Sequence, residues 1–263
     1  MPYHENDGAR LFYRLQGNKE AKGPVFLFIH GWCSNSTHWQ EQINYFGKNK
    51  RILSLDRRGL GRSSTPGSGH TAKQHAKDIA SLVRALKIRR VIAVGHAGGG
   101  PVTLELTRTY PGLVKATVIV DAGLYPKPRI GNPKSPFGVT LSSMIDALSK
   151  PNGEQALKTM YEGFFAPTCP RPITRAAVAD AIKTPIPLAI QELKVMDVST
   201  QRIAREILQP VLWLTANLVD QPYISRHLKK VQFAQVVGSG HFPQLEVPKQ
   251  TNAAIETFVN QLK

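Results

Sequence analysis

The sequence predicts an α/β fold, a mostly parallel central sheet with helices on both faces and a helical insert late in the chain. Three observations lead there. Short apolar runs alternate with helix-patterned segments, glycine-rich turns close several of the runs, and residues 126–205 carry only helical periodicity.

Phe26-Leu27-Phe28-Ile29 is an apolar run stopped by His30-Gly31, and Arg51 to Leu55 is a second, stopped by Asp56 and a glycine-rich turn. Both are expected as buried strands. Thr71 to Leu86 repeats apolar residues at helical spacing (Ala76, Ile79, Leu82, Val83, Leu86), and Val91 to Val94 forms the next strand before a glycine cluster. A helix over Val102 to Thr109 ends at Tyr110-Pro111-Gly112, and Ala116 to Val120 follows as a strand. The alternation resumes with a strand at Pro210 to Leu214, a helix near Ile224 to Lys229, a strand from Val231 to Val237 and a closing helix from Gln250 to Leu262. Between the two halves, helical patterns run over 141–148, 154–165, 173–182 and 187–196 after a proline- and glycine-rich entry. The expected organisation is therefore a core of residues 1–125 and 206–263, with 126–205 as a helical cap placed beyond the strand ends, over a site.

A chain of 263 residues with 41% hydrophobic and 20% charged residues can close a sizeable core, which excludes disordered and fibrous classes. No apolar run approaches the ~20 residues a bilayer span needs, and the stretch from Met1 to Tyr13 is too polar for a signal core, so a cytoplasmic protein that does not enter membranes is expected. Cys33 and Cys169 stand far apart without a metal-ligand spacing, and the histidines show none either, so no metal and no disulfide are expected. Gly59-Leu60-Gly61 lacks the third glycine and the helix of a dinucleotide fingerprint, and no phosphate-binding loop exists; no cofactor is implied. The 34 basic and 18 acidic residues leave a charge of +16, spread in short clusters such as Lys48 to Arg51 and Lys87 to Arg90. Without a recognition motif or an aromatic-basic platform, this points to a solvated surface, not to nucleic acid.

Four motifs carry chemistry. Gly95-His96-Ala97-Gly98-Gly99 joins a strand to a helix in the manner of a nucleophile elbow, Gly-Xaa-Ser-Xaa-Gly, whose small residues allow a sharp turn that lifts the central side chain above the sheet. His30-Gly31-Trp32 follows the first strand; Asp56-Arg57-Arg58-Gly59-Leu60-Gly61-Arg62-Ser63 follows the second; Gly238-Ser239-Gly240-His241-Phe242-Pro243 with Glu246-Val247-Pro248 follows the last. In this order the motifs resemble the α/β-hydrolase family from about residue 10 to the C-terminus.

That resemblance implies a metal-free hydrolase of carboxylic esters or lactones working by a serine, histidine and acid. His241 is the implied base, and the backbone amides of Trp32 and Gly98 are the implied oxyanion donors. Asp220, after the strand 210–214, is the favoured acid by chain order, with Asp121, at the end of the strand 116–120, as its rival. Ala97 stands at the nucleophile position, where alanine cannot attack a carbonyl, so the chain is expected to be a serine-to-alanine inactive form. Trp32, Tyr125, Phe137, Met144, Met160, Phe164 and Phe165 are the expected walls of an apolar substrate pocket, with a larger share of them expected to be packing. A small-molecule ester or lactone, anionic by attraction to the basic cap, is the expected partner of a monomer or homodimer. Thioester, amide and carbon-carbon bond hydrolysis use the same machinery, and a receptor that kept the pocket without catalysis is the alternative from another class.

Overall fold

A computed structural model describes residues 2–126, 130, 134 and 136–262, the side chains of 136–138 excepted. Eight strands form one sheet: β1 (Tyr3–Asn6), β2 (Ala9–Gly17), β3 (Val25–Ile29), β4 (Arg51–Leu55), β5 (Val91–His96), β6 (Val114–Val120), β7 (Val211–Thr215) and β8 (Val231–Gln235). The order across the sheet is β1-β2-β4-β3-β5-β6-β7-β8. From β4 to β8 every neighbouring pair is parallel, whereas β1 and β2 are an antiparallel hairpin added at the β4 edge. The hairpin is not apparent in the sequence pattern: β2 mixes buried and exposed positions along its nine residues without a regular alternation.

Side chains of β3 alternate between the two faces, and each face has its own core. Val25, Leu27 and Ile29 pack with α2 (Ala72–Ala85) and α3 (Gly99–Thr109) on one side. Phe26 and Phe28 pack on the other with Trp39 and α1 (Gln40–Phe46) and with the closing helix α11 (Pro248–Asn260). The central strands are buried along their whole length, which is why their sequences read as continuous apolar runs rather than alternations. Thr71 caps α2 by accepting from the Gln74 amide at 3.1 Å.

Between β6 and β7 lie five helices and, among the described residues, no strand: α4 (Pro136–Leu148), α5 (Gly153–Glu162), α6 (Arg171–Ala181), α7 (Ile186–Val195) and α8 (Thr200–Ala204). The apolar faces of α4 to α7 form a cluster of their own, which reaches the core through Trp32, Cys33 and Phe242, whereas Ile203 and Ala204 of α8 pack in the core with Leu104 and Ile119. After β7 come α9 (Gln221–Ser225), earlier and shorter than its sequence pattern, and after β8 the single turn α10 (Pro243–Glu246). No described helix is long and apolar enough to cross a membrane.

The sheet also rearranges the charge. The segments 18–24, 47–51, 86–90, 110–115, 205–210 and 226–230 lead into β3 to β8 and hold thirteen basic and two acidic residues, eleven of the sixteen excess positive charges. Their backbones are joined side by side: Asn18 N–H donates to Lys50 O at 3.0 Å, Val25 N–H to Arg90 O at 3.0 Å and Val211 N–H to Lys230 O at 2.8 Å. A charge scattered along the sequence is thus gathered at the amino edge of the sheet.

Arg58 and Asp78 tie the hairpin and α2 to the turn after β4. Arg58 donates from Nε and Nη2 to the two carboxylate oxygens of Asp78 at 2.8 and 2.9 Å, and Asn6 Nδ2 donates to the same carboxylate at 2.7 Å. Both charged side chains are 2% exposed. Removing one partner strands the other charge in the interior, so Asp78→Ala is expected to cost about 3–5 kcal/mol in urea unfolding.

Candidate active site

The carboxyl edge of the sheet builds the site. Strand β5 ends at His96, in register with Val120 of β6, and the next residue of each strand, Ala97 and Asp121, takes a left-handed φ of 46°. Such a φ is strained for a residue with a Cβ and persists only where the surroundings impose it. At Ala97 they do: its N–H donates to Val120 O at 3.0 Å, and its carbonyl accepts from Gly100 N at 2.8 Å as α3 begins. The turn admits only glycine at position 99, because a Cβ there would lie 2.6 Å from Ile29 O and 2.7 Å from His30 O. The elbow expected from the sequence is present as a strained strand-to-helix turn, with a methyl group at its apex.

His241 lies in the loop after β8, and its Nδ1 is 2.7 Å from Asp121 Oδ2. Asp121 is 8% exposed, and its other oxygen accepts from Ala216 N at 3.0 Å and Thr215 Oγ1 at 3.1 Å. Burial alone would raise the Asp121 pKa, but the bond and charge of His241 and the Ala216 amide outweigh it and hold the carboxyl below its usual range. With Nδ1–H directed at a carboxylate, Nε2 of neutral His241 is left as the acceptor. The favoured acid, Asp220, does not reach the histidine. It is exposed and caps α9, accepting from Tyr223 N at 2.8 Å. Asp121, the rival, lies beside His241 instead.

Glu246 holds the histidine loop. Its carboxylate accepts from Gly240 N at 3.1 Å, Phe242 N at 3.1 Å, Ser239 Oγ at 3.3 Å and, across the insert, Ala166 N at 2.8 Å. His241 N–H donates to Phe164 O at 2.7 Å, and His96 Nε2 donates to His241 O at 2.7 Å. Burial first, and then the neighbouring His241, push the His96 pKa down to about 3, so its ring is neutral. These roles of Glu246 and His96 are invisible in sequence, although both sit inside motifs the sequence marks.

The amides of Trp32 and Gly98 stand together: a Cβ on Gly98 would lie 3.3 Å from Trp32 N. Neither amide has a hydrogen-bond partner among the described residues, which leaves two donors beside position 97. The insert pins the Trp32 loop, since Trp32 Nε1 donates to Ala189 O at 2.7 Å and Tyr161 Oη to Trp32 O at 2.8 Å.

A cavity of about 570 Å³ joins these groups. Trp32, Tyr125, Met144 and Phe164 line it as expected, and Leu141, Tyr161 and Met196 join them. Met160 and Phe165 do not line it; they belong to the insert's apolar cluster, and Phe165 stacks on Phe242 of the loop after β8 with ring centroids 4.6 Å apart. The side chain of Phe137 lies outside the described residues. Among the described residues no Lys or Arg lines the wall, and most of the excess charge sits at the opposite edge of the sheet, so the described lining gives no support to an anionic substrate. A wider groove of about 900 Å³ on the insert, between 148–158 and 182–190, is lined by Lys150, Glu154 and Lys158 and, among the described residues, by no histidine.

A second titratable cluster, His70, His75 and Glu192, has the donor types of a metal site. A guanidinium takes the cation's place there: Arg57 Nη1 is 2.7 Å from Glu192 Oε2 and 3.2 Å from His75 Nε2.

A base oriented by a buried carboxylate, two free amides and a strained turn between them form the arrangement that acyl-transfer chemistry requires, complete except for the attacking atom. The chain belongs to the alpha/beta hydrolase family, whose profile matches residues 26–254. It is similar to a non-heme chloroperoxidase of Streptomyces lividans, 35% identical over 138 residues that cover 52% of this chain and 49% of that protein. It is also similar to a bifunctional esterase/perhydrolase of Acinetobacter calcoaceticus, 38% identical over 118 residues covering 44% and 42% of the two chains. The matches thus span about half the length of these relatives. An enol-lactonase from Burkholderia xenovorans shares the fold with a TM-score of 0.83 at 18% identity, over 99% of this chain and all of that one.

The choice of acid is open to a direct measurement with a serine introduced at position 97. In Ala97→Ser, Asp121→Asn is expected to lower kcat for a p-nitrophenyl ester by roughly 10³- to 10⁴-fold, and Asp220→Asn by less than about threefold.

Proposed function

We propose that this fold and site serve the hydrolysis of small, uncharged carboxylic esters or lactones. A hydroxyl at position 97 would act as nucleophile, His241 as general base and then general acid, Asp121 as its orienting carboxylate, and the Trp32 and Gly98 amides as oxyanion donors. The observation that carries the reading is the 2.7 Å contact between His241 and the buried Asp121, beside a left-handed residue that the backbone holds as a nucleophile is held. His241 would take the hydroxyl proton as the oxygen attacks the carbonyl, while the tetrahedral oxyanion forms against the two amides. The imidazolium, stabilised by Asp121, would then protonate the leaving alcohol; water repeats the sequence on the acyl intermediate. Segment 126–205 is read as a cap over the cavity. The relatives named as an esterase and a lactonase support this substrate class.

Ala97 removes the attacking oxygen and leaves the rest of the site in place. That same observation favours a second reading, a binding protein that holds an uncleaved ligand in the cavity. The two diverge on restoring the hydroxyl. Ala97→Ser is expected to hydrolyse short p-nitrophenyl esters and to be labelled covalently by a fluorophosphonate, while the unsubstituted chain is not labelled. A serine form that binds a lactone or ester tightly, yet neither cleaves any nor takes the label, would establish the receptor instead.

The absence of a cation among the described residues of the wall sets a further expectation. The serine form should show a higher kcat/KM for a methyl ester than for the matching carboxylate-bearing ester, and the preference should persist at high salt, because exclusion of an unpaired charge from an apolar cavity does not depend on screening. A carboxylate preference at low salt that fades with added salt would place a cation at the entrance.

A further inference from the structure

We propose that Arg57 is a positioning residue for the oxyanion donor at Trp32, held in place by Glu192 of the insert; the proposal rests on the hydrolase reading above. The Arg57 side chain is 1% exposed and bonds to two successive carbonyls of the loop after β3. Nε donates to His30 O at 3.0 Å and Nη2 donates to Gly31 O at 2.9 Å. The backbone N–H of Arg57 donates to His30 Nε2 at 2.8 Å, so the ring's proton is on Nδ1, which points at the same Gly31 oxygen at 3.1 Å. Burial and the neighbouring guanidinium hold the His30 pKa well below its usual value, so the ring is neutral.

Gly31 C=O and Trp32 N–H are opposite ends of one peptide plane. Because the plane is rigid, fixing the oxygen fixes the direction of the N–H on the other side. The bond from a cation also draws electron density along the amide, which makes the N–H a stronger donor toward a developing oxyanion. Arg57 would therefore act on the transition state through one covalent unit, without touching substrate.

Glu192 comes from α7 and is completely buried. Its Oε2 lies 2.7 Å from Arg57 Nη1 as an ion pair off the direction of a formal hydrogen bond, and Oε1 lies 3.1 Å from His75 Nε2 and 3.3 Å from His70 Nδ1. Burial would raise the carboxyl's pKa, but Arg57 and the two histidines outweigh it and keep it well below the carboxylate range. An insert helix thus supplies the charge that lets the guanidinium remain in the interior.

The test uses Ala97→Ser as parent and compares Arg57→Lys with Arg58→Lys, its equally buried neighbour that bonds to Asp78 and touches no part of the oxyanion loop. Lysine keeps the charge but loses the fork. Arg57→Lys is expected to lower kcat roughly ten- to hundredfold with KM within about twofold, less than the loss of an oxyanion donor outright. Arg58→Lys is expected to lower Tm while kcat stays within about twofold. An effect of Arg57→Lys confined to KM or Tm, or an equal loss of kcat in Arg58→Lys, overturns the proposal. A parent that cleaves no ester counts against the hydrolase reading instead, and the positioning is then read in the unsubstituted chain by its Trp32 amide resonance. There Arg57→Lys should move the amide proton upfield and Arg58→Lys should not; no difference between the two overturns the proposal. If Arg57→Lys does not fold by circular dichroism, Glu192→Gln is measured in the same two ways, with a kcat loss of about threefold or more expected and an unchanged kcat and amide shift overturning it.

Discussion

The parallel register of β5 and β6 is the constraint on which the site depends. His96 lies beside Val120, so the residues that follow, Ala97 and Asp121, leave the sheet next to each other, and both turn through a left-handed φ of 46°. Each such turn costs on the order of 1–3 kcal/mol, which the surrounding hydrogen bonds and buried strands must offset. One turn lifts position 97 above the sheet; the other swings a carboxylate sideways toward the loop after β8. A slip of one residue in that pairing would turn the side chains of the slipped strand to the other face and separate the two positions.

What the sheet places, the insert completes. Glu246 ties the histidine loop to Ala166, Tyr161 and Ala189 hold the Trp32 loop, and Glu192 neutralises the guanidinium behind it. The geometry of the candidate site is therefore shared between two layers of structure rather than carried by the sheet alone. A buried ion pair is a poor source of net stability, because desolvation cancels most of the attraction. The Arg57 and Glu192 pair is better understood through what it orients, two carbonyls of the loop that presents Trp32 N–H.

The distribution of charge separates the site from the surface. Eleven of sixteen excess charges lie in the segments entering β3 to β8, at the end of the sheet opposite the cavity. With a Debye length of about 10 Å at 0.1 M salt, charges at that edge act weakly across the thickness of the domain. The described wall of the cavity carries aromatic and aliphatic groups, the polar side chains of Thr140, Thr215 and Asn217, and, among the described residues, one carboxylate, which is paired with His241.

The sequence by itself determined what depends on near neighbours: the buried parallel strands from their apolar runs, the elbow from its glycines, the loop of His241 and the helical nature of the insert. Each of these is a pattern within a dozen residues, where periodicity and turn chemistry leave a signature. The tertiary structure decided what depends on pairing across the chain. Asp121 and Asp220 both follow strands and both precede His241; chain order favoured Asp220, whereas the hydrogen bond to His241 comes from Asp121, 120 positions away in the chain. The N-terminal hairpin, the gathering of charge at one edge and the reach of Glu192 to Arg57 are of the same kind. Side-chain pattern records which face of an element is buried, but not which distant element buries it, and there the packing of the sheet and the insert decides.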